Sequence, residues 1–289
     1  MLKMSEETLI LDGSVKSKEI QEEIKREVEK LEDEEGVVPK LSIVFAGNNP
    51  ASKSYIKLQQ RICDKVGIES EVVDLPGDIS EEDLLAELDD LNNDDDVNGI
   101  LIQMPLPDQV DDDKVIRSID PDKDLDAFHP YNIGELVIDG DAYVPCTPEG
   151  VMALFDMYDI ELKGKDVTVV GHSNIVGKPM ALLLLNRNAT VSVCHIDTKD
   201  TASYTTESDI VIVAAGVPNL ITADMVKEGA IVIDVGINEV DGKIVGDVDF
   251  ENVKEKASAI TPVPGGAGPM TIAMLLKDTV QSCKDMLAN

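Results

Sequence analysis

The 289-residue chain has 57 acidic and 25 basic residues, a net charge of −32 at pH 7, which repels nucleic acid and anionic lipid and argues against partners of either kind. Hydrophobic residues make up 43%, enough for the cores of two ordinary domains, yet no apolar run approaches the roughly 20 residues of a membrane span. The stretch MLKMSEETLILDG lacks the basic, apolar and small-residue regions of a leader, so the sequence predicts a cytoplasmic protein.

The first half alternates β-branched runs with amphipathic stretches. It predicts helices near 15–31, 52–66, 80–91 and 111–119, and strands at LSIVF (41–45), EVVDL (71–75) and GILIQ (99–103). The acidic runs EDEE (32–35), NNDDD (92–96) and DDD (111–113) read as solvated surface, and a charge this large predicts a halophilic setting, where salt screens self-repulsion. The Pro-rich VPCTPEG (144–150) reads as a connection. Four more strands follow, at DVTVVG (166–171), ATVSVCH (189–195), SDIVIVAAG (208–216) and GAIVIDVG (229–236). Their near-continuous apolar character predicts a parallel sheet covered on both faces. The final stretch GPMTIAMLLKDTVQSCKDML has helical spacing and is expected to pack on the first domain. The fold class is therefore α/β, with residues 1–145 plus 270–289 as one domain and 146–269 as a Rossmann-like, doubly wound second domain.

Cys63, Cys146, Cys194 and Cys283 form no CxxC pair, and His129, His172 and His195 have no ligand spacing, so neither a disulfide framework nor a metal is expected and the thiols read as buried or idle. The stretch DVTVVGHSNIVGKPMALLLL runs from strand through a glycine turn into a helix, the arrangement that sets backbone N–H groups against a pyrophosphate. Gly171 and Gly177 lie six residues apart, against five for the end glycines of the generic dinucleotide fingerprint. At the end of the next strand His195 and Asp197 occupy the place where an acid favours the 2′-hydroxyl of NAD and an arginine the 2′-phosphate of NADP.

PASKSYIKLQQRICDKVGI, GILIQMPLP, PDKDLDAFHPYNIG, VPCTPEG, GHSNIVGKP, GAIVIDVGIN and TPVPGGAGPMTIAML follow one another in order. Together they resemble the methylenetetrahydrofolate dehydrogenase/methenyltetrahydrofolate cyclohydrolase family from about residue 8 to residue 285. The resemblance implies an N-terminal folate domain, a C-terminal NAD(P)-binding domain and a homodimer formed by the second domain. It implies hydride transfer from methylenetetrahydrofolate to NADP or NAD, then hydrolysis to 10-formyltetrahydrofolate. It places Tyr55 on the folate ring, Gln103 beside the reacting carbon, and Asp126 on the pterin edge. Asp124, Pro264 and Gly265 would line the same pocket, and Gly171, His172, Ser173, Ile175, Gly177 and Ile237 would lie along the cofactor.

Three positions depart from the family pattern. Gln59 stands four residues after Tyr55, where the family has a lysine. On a helix Tyr55, Gln59, Ile62, Cys63 and Val66 share a face, while Lys57 lies about 200° from Tyr55. An amide does not titrate near neutrality, so the expectation is a competent dehydrogenase with a weak or absent cyclohydrolase, in which Gln59 bonds Gln103 and orients a water. The alternative is a fully bifunctional enzyme; a non-catalytic folate- or nucleotide-binding protein is more remote. His172 replaces an arginine suited to a 2′-phosphate, which leaves NAD against NADP open. Ala127 replaces a glycine, which matters only if the backbone there needs positive φ or a close approach.

Overall fold

The structure, a computed structural model, describes residues 7–288. In chain order it begins with β1 (Leu9–Ile10), α1 (Gly13–Glu35), β2 (Lys40–Ala46), α2 (Pro50–Val66), β3 (Glu69–Leu75), α3 (Glu81–Asn92), β4 (Gly99–Ile102), α4 (Asp112–Ser118) and α5 (Pro130–Val137). It continues through α6 (Cys146–Met157), β5 (Asp166–Val170), α7 (Gly177–Asn186), β6 (Thr190–Cys194), α8 (Ala202–Thr205), β7 (Ile210–Val213) and β8 (Ile231–Asp234). The last elements are β9 (Asn238–Val240), β10 (Lys243–Val245), α9 (Phe250–Lys254), β11 (Ala259–Ile260) and α10 (Ala267–Ala288). Two compact units result: Lys18–Cys146 with Ile272–Asn289, and Met1–Ser17 with Thr147–Thr271. The division falls inside α1 and α10.

The unit of residues 18–146 is built on a parallel sheet of order β3-β2-β4. Its central strand β2 is buried from Leu41 onward. Val44, Ile100 and Ile102 of the strands pack with Leu84 and Leu88 of α3 and Val115 of α4. Helix α1 buries Ile20, Ile24, Val28 and Leu31, a stripe at three- and four-residue spacing that keeps one face inward. The C-terminal helix belongs here, as expected. Ser282 Oγ of α10 donates to the carbonyl of Asn98 at 2.5 Å, at the entry to β4.

The other unit is a six-stranded, wholly parallel sheet of order β1-β11-β8-β7-β5-β6. Alternate residues feed two cores. Val167, Val169, Ile210 and Ile212 meet Phe155 of α6 and Met180 and Leu184 of α7. On the opposite face Val170, Val211, Val213 and Val232 meet Val248 and Val253. The sheet is thus covered on both sides, as its apolar strands predict. Strand order reverses at β5, so the crevice outside the carboxyl ends of β5 and β7 is the topological switch point where such folds bind ligands.

Two features differ from the sequence reading. The first residues leave the domain to which they were assigned: β1 pairs with β11, Leu9 N and Leu11 N donate to Ser258 O and Ile260 O at 2.9 Å, and Leu11 is fully buried. VPCTPEG is not a plain connection, because α6 begins at Cys146 and runs through it. Pro148 lies in the first turn, where its missing N–H has no helical partner to lose.

Candidate active site

Helix α2 starts at Asn49, whose side chain accepts from Ala51 N at 2.9 Å and Ser52 N at 3.4 Å, with Pro50 in the first turn. Its buried residues are Ser52, Ile56, Gln59, Cys63 and Val66; Tyr55 beside them is half-buried and Lys57 is exposed. Gln59 is only 2% exposed, and its Oε1 has no hydrogen-bond partner. A buried acceptor left unpaired costs about 1–3 kcal/mol. Packing alone does not account for such an atom, whereas a donor from a bound ligand or water would. Gln103, at the end of β4, holds its place through backbone N donating to Val44 O at 2.9 Å, and its Nε2 donates to Met104 O at 3.1 Å. The expected bond to Gln59 Oε1 is not made, because the Gln103 amide turns to its own chain.

The segment after α4 is pinned from below. Lys123, 7% exposed, donates from Nζ to the carbonyls of Leu91, Asn92 and Asp94 at 3.2, 2.9 and 2.7 Å, and so caps α3. Ile100 N donates to Lys123 O at 2.8 Å, fastening the segment to β4. Asp124, 2% exposed, accepts from His129 N at 2.7 Å and Asn132 Nδ2 at 3.2 Å. Burial pushes its carboxyl up to about 6 despite those bonds. Asp126 is pushed up to about 7, first by burial and then by the charge of Asp124, with a bond from the Cys146 thiol opposing both. Burial also drives the Tyr55 phenol well above its ordinary range, with the charge of Asp126 next. Tyr55, Asp126 and Cys146 therefore share one low-dielectric place, and shifted groups held together in this way mark a candidate functional site. The Cys146 Sγ also donates to Leu125 O at 3.2 Å, and all four cysteines are buried. Ala127 has φ +54° and is fully buried, so the backbone does require the left-handed conformation that a glycine supplies without strain.

In the unit of residues 147–271, Gly171 (φ +127°) follows β5, and its N donates to Cys194 O at 2.8 Å. A Cβ there would strike the carbonyl of Ala214, and a Cβ on Gly177 would strike that of Gly171. The two glycines bring strand, turn and helix together more closely than any side chain permits. Ser173 Oγ accepts from Val176 N at 3.1 Å and Gly177 N at 3.4 Å, and Lys178 N donates to Ser173 O at 3.0 Å. Those three amides serve the turn itself. The His172 and His195 rings stack with centroids 4.8 Å apart, and the Asp197 carboxylate, 89% exposed, lies 3.9 Å from His195 Nδ1. Ile175 and Ile237 are 49% and 65% exposed, an apolar edge fit for a cofactor. Pro264 and Gly265 follow β11, and Gly265 O accepts from Ser14 N at 2.9 Å.

Two family models match the chain. Residues 11–126 match the catalytic domain of tetrahydrofolate dehydrogenase/cyclohydrolase, and residues 145–287 match its NAD(P)-binding domain. The chain belongs to the tetrahydrofolate dehydrogenase/cyclohydrolase family. The bifunctional protein FolD of Nautilia profundicola is 56% identical over 277 residues, covering 96% of this chain and 97% of that protein. That of Methanosarcina mazei is 52% identical over 287 residues, covering 99% and 100%. The crystal structure of the bifunctional FolD enzyme from Campylobacter jejuni superposes with a TM-score of 0.95 at 52% identity, covering 96% of this chain and 99% of that one.

As a member of the tetrahydrofolate dehydrogenase/cyclohydrolase family the chain is an NAD(P)-dependent enzyme acting on folate, and its two α/β units are of the expected class. Tyr55, Gln59, Gln103, Asp124 and Asp126 all lie in the unit of residues 18–146, while Pro264 and Gly265 lie with the cofactor residues in the other. Sequence reasoning passed over Cys146 and Lys123. Cys146 sat in a stretch read as a connection, and nothing local signals that Lys123 reaches the end of a helix thirty residues earlier. Among the described residues no helix is long and apolar enough to cross a membrane.

Proposed function

We propose that this enzyme oxidises 5,10-methylenetetrahydrofolate to 5,10-methenyltetrahydrofolate and hydrolyses the product only weakly. The observation that carries the reading is Gln59, buried on the Tyr55 face of α2 with an unpaired Oε1. Nicotinamide, when bound, accepts the hydride from the one-carbon bridge. What the protein adds to that step is alignment. Tyr55 stacks on the folate ring, Asp126 bonds the pterin edge, Gln103 sits beside the reacting carbon, and Asp124 lines the pocket. Hydrolysis asks more, because water must lose a proton as it attacks and the leaving nitrogen must gain one. An amide at position 59 holds a water through Oε1 but cannot carry its proton. Lys57 is exposed and offers no substitute. Full bifunctionality remains the second reading, favoured by relatives at 56% identity that are named bifunctional.

One assay separates the two. Methylenetetrahydrofolate is oxidised, and methenyl absorbance is followed against an enzyme-free control. The native protein should let methenyl accumulate and decay at the background rate, and Gln59→Lys should speed that decay at least about tenfold. Enzyme-dependent decay in the native protein, unchanged in Gln59→Lys, would sink the proposal.

Gly171, His172, Ser173, Ile175, Gly177, His195, Asp197 and Ile237 hold the cofactor in this reading. NAD should serve at least as well as NADP, since a 2′-phosphate would face the Asp197 carboxylate with a histidine pair in place of an arginine. A tenfold higher kcat/KM with NADP would overturn this. The protein is also proposed to be a homodimer joined along β6, an edge strand beside which Val193 and Leu185 are 41% and 52% exposed; light scattering giving a monomer mass would refute it. None of the four cysteines is in a disulfide, which suits a reducing cytoplasm, and cell fractionation would test that placement.

A further inference from the structure

Two carboxylates outside the residues discussed so far are buried at the carboxyl end of the six-stranded sheet. Asp234 ends β8 and is 3% exposed; Asp247 follows β10 and is fully buried. Asp234 Oδ1 accepts from Gly236 N at 2.9 Å and Asp247 N at 3.0 Å, and its Oδ2 accepts from Val248 N at 2.9 Å. Asp247 Oδ2 accepts from Ala215 N at 2.6 Å and Gly216 N at 2.8 Å, and its Oδ1 accepts from Asn238 Nδ2 at 2.8 Å. Six N–H donors thus converge on two neighbouring acids. The backbone makes room for both: a Cβ on Gly236 would strike the Asp247 carboxylate, and one on Gly246 that of Asp234.

The segments gathered by these bonds follow neighbouring strands of the sheet. Ala215 and Gly216 follow β7, next to the Ala214 carbonyl against which Gly171 is packed. Gly236, exposed Ile237 and Asn238 follow β8. Both segments lie at the carboxyl ends of strands, beside the switch point. We propose that Asp247, seated by Asp234, is a positioning residue for the dinucleotide: it locks the segments after β7 and β8 in the spacing that the cofactor requires. The assignment rests on the reading of this unit as the NAD(P) site. A carboxylate suits the task because all its lone pairs accept. An asparagine would turn an NH₂ either toward Ala215 N and Gly216 N or toward Asn238, whose own NH₂ is kept there by a second bond, to Val245 O at 3.4 Å, setting donor against donor.

That clash supplies the test, made on the full chain with methylenetetrahydrofolate and NAD. Asp247→Asn should raise KM for NAD about tenfold, leave KM for the folate within about twofold and change kcat little. Adding Asn238→Asp exchanges acceptor and donor across the same contact, and the double variant should recover KM for NAD to within about threefold. If Asp247→Asn does not fold, Asn238→Ala removes one of the three bonds alone and should raise KM for NAD about threefold. An unchanged KM for NAD in a variant with a lowered melting midpoint would overturn the proposal, as would equal rises in both KM values. A native protein that turns over neither NAD nor NADP would refute instead the cofactor reading on which the assignment rests.

Discussion

The Asp126 carboxyl is held up to about 7 by burial and by Asp124, and this sets a stability trade that can be measured. Its folded-state pKa lies above its unfolded value, so the folded chain binds the extra proton between about pH 4 and pH 7. The protonated form contributes stability that is complete below that window and lost as pH rises through it. Asp126→Asn is neutral at every pH, so relative to the native protein it should gain stability on the order of 4 kcal/mol at pH 8, with the gain shrinking to nothing near pH 4. Urea melts at several pH values read this directly, and a gain that grew toward acid would show that the carboxyl is not raised. In the proposed pose the same variant should bind folate more weakly, since one of the two acceptors offered to the pterin edge becomes a donor. Ala127, the next residue, adds a second cost. Its left-handed backbone stores roughly 1–2 kcal/mol that the family's glycine would not, so the segment that carries Asp126 is strained as well as desolvated.

That segment stays in place because of an element some distance away in sequence. The C-terminus of α3 presents the carbonyls of Leu91 and Asn92, with Asp94 beyond them, to one buried ammonium, that of Lys123. Opposite charge at the negative end of a helix dipole adds to three hydrogen bonds. Lys123→Met keeps the volume and removes the donors, so it should destabilise by about 2–3 kcal/mol in urea unfolding and raise KM for folate more than KM for NAD. An unaltered midpoint would mean that water replaces the ammonium without loss. Links of this sort mark the limit of sequence reading here. Strands β2 to β8 and the helices α1, α2, α3, α4 and α10 are visible because their apolar residues keep a regular period over a turn or more. Helix α5 has Pro130 in its first turn and α6 has Pro148, so a residue that often ends helices conceals two beginnings. Strands β1 and β11 have two residues each, too few for alternation to appear. Among the candidate residues, Tyr55, Gln59 and Asp126 come from the family resemblance of the sequence. The thiol of Cys146, the ammonium of Lys123 and the acids Asp234 and Asp247 act through partners that only folding brings near.

Over the whole molecule the net charge of −32 dominates what solution conditions can do. Ion pairs such as Lys25–Glu29, Lys30–Glu34 and Lys65–Glu22 are solvent-exposed and long, at 3.8, 3.6 and 3.6 Å. Pairs of that kind return at most about 1 kcal/mol each, so the excess acids repel with little local compensation. The Debye length falls from about 30 Å at 0.01 M salt to about 3 Å at 1 M. Added KCl should therefore raise the thermal midpoint steeply at first and then level off, and choline chloride should do the same if screening rather than a bound cation is responsible. A midpoint that does not move across that range would mean that the surface tolerates its charge unaided, and the halophilic reading would fail. Binding should follow the same field. Both cofactors are anions approaching an anion, so KM for each should fall as salt rises, and NADP, with its additional phosphate, should gain more than NAD. Preference for NAD should accordingly be widest in dilute buffer and narrow with salt. If the ratio of the two kcat/KM values did not change with salt, the preference would arise wholly from contacts around His172 and Asp197 and not from the charge of the protein as a whole.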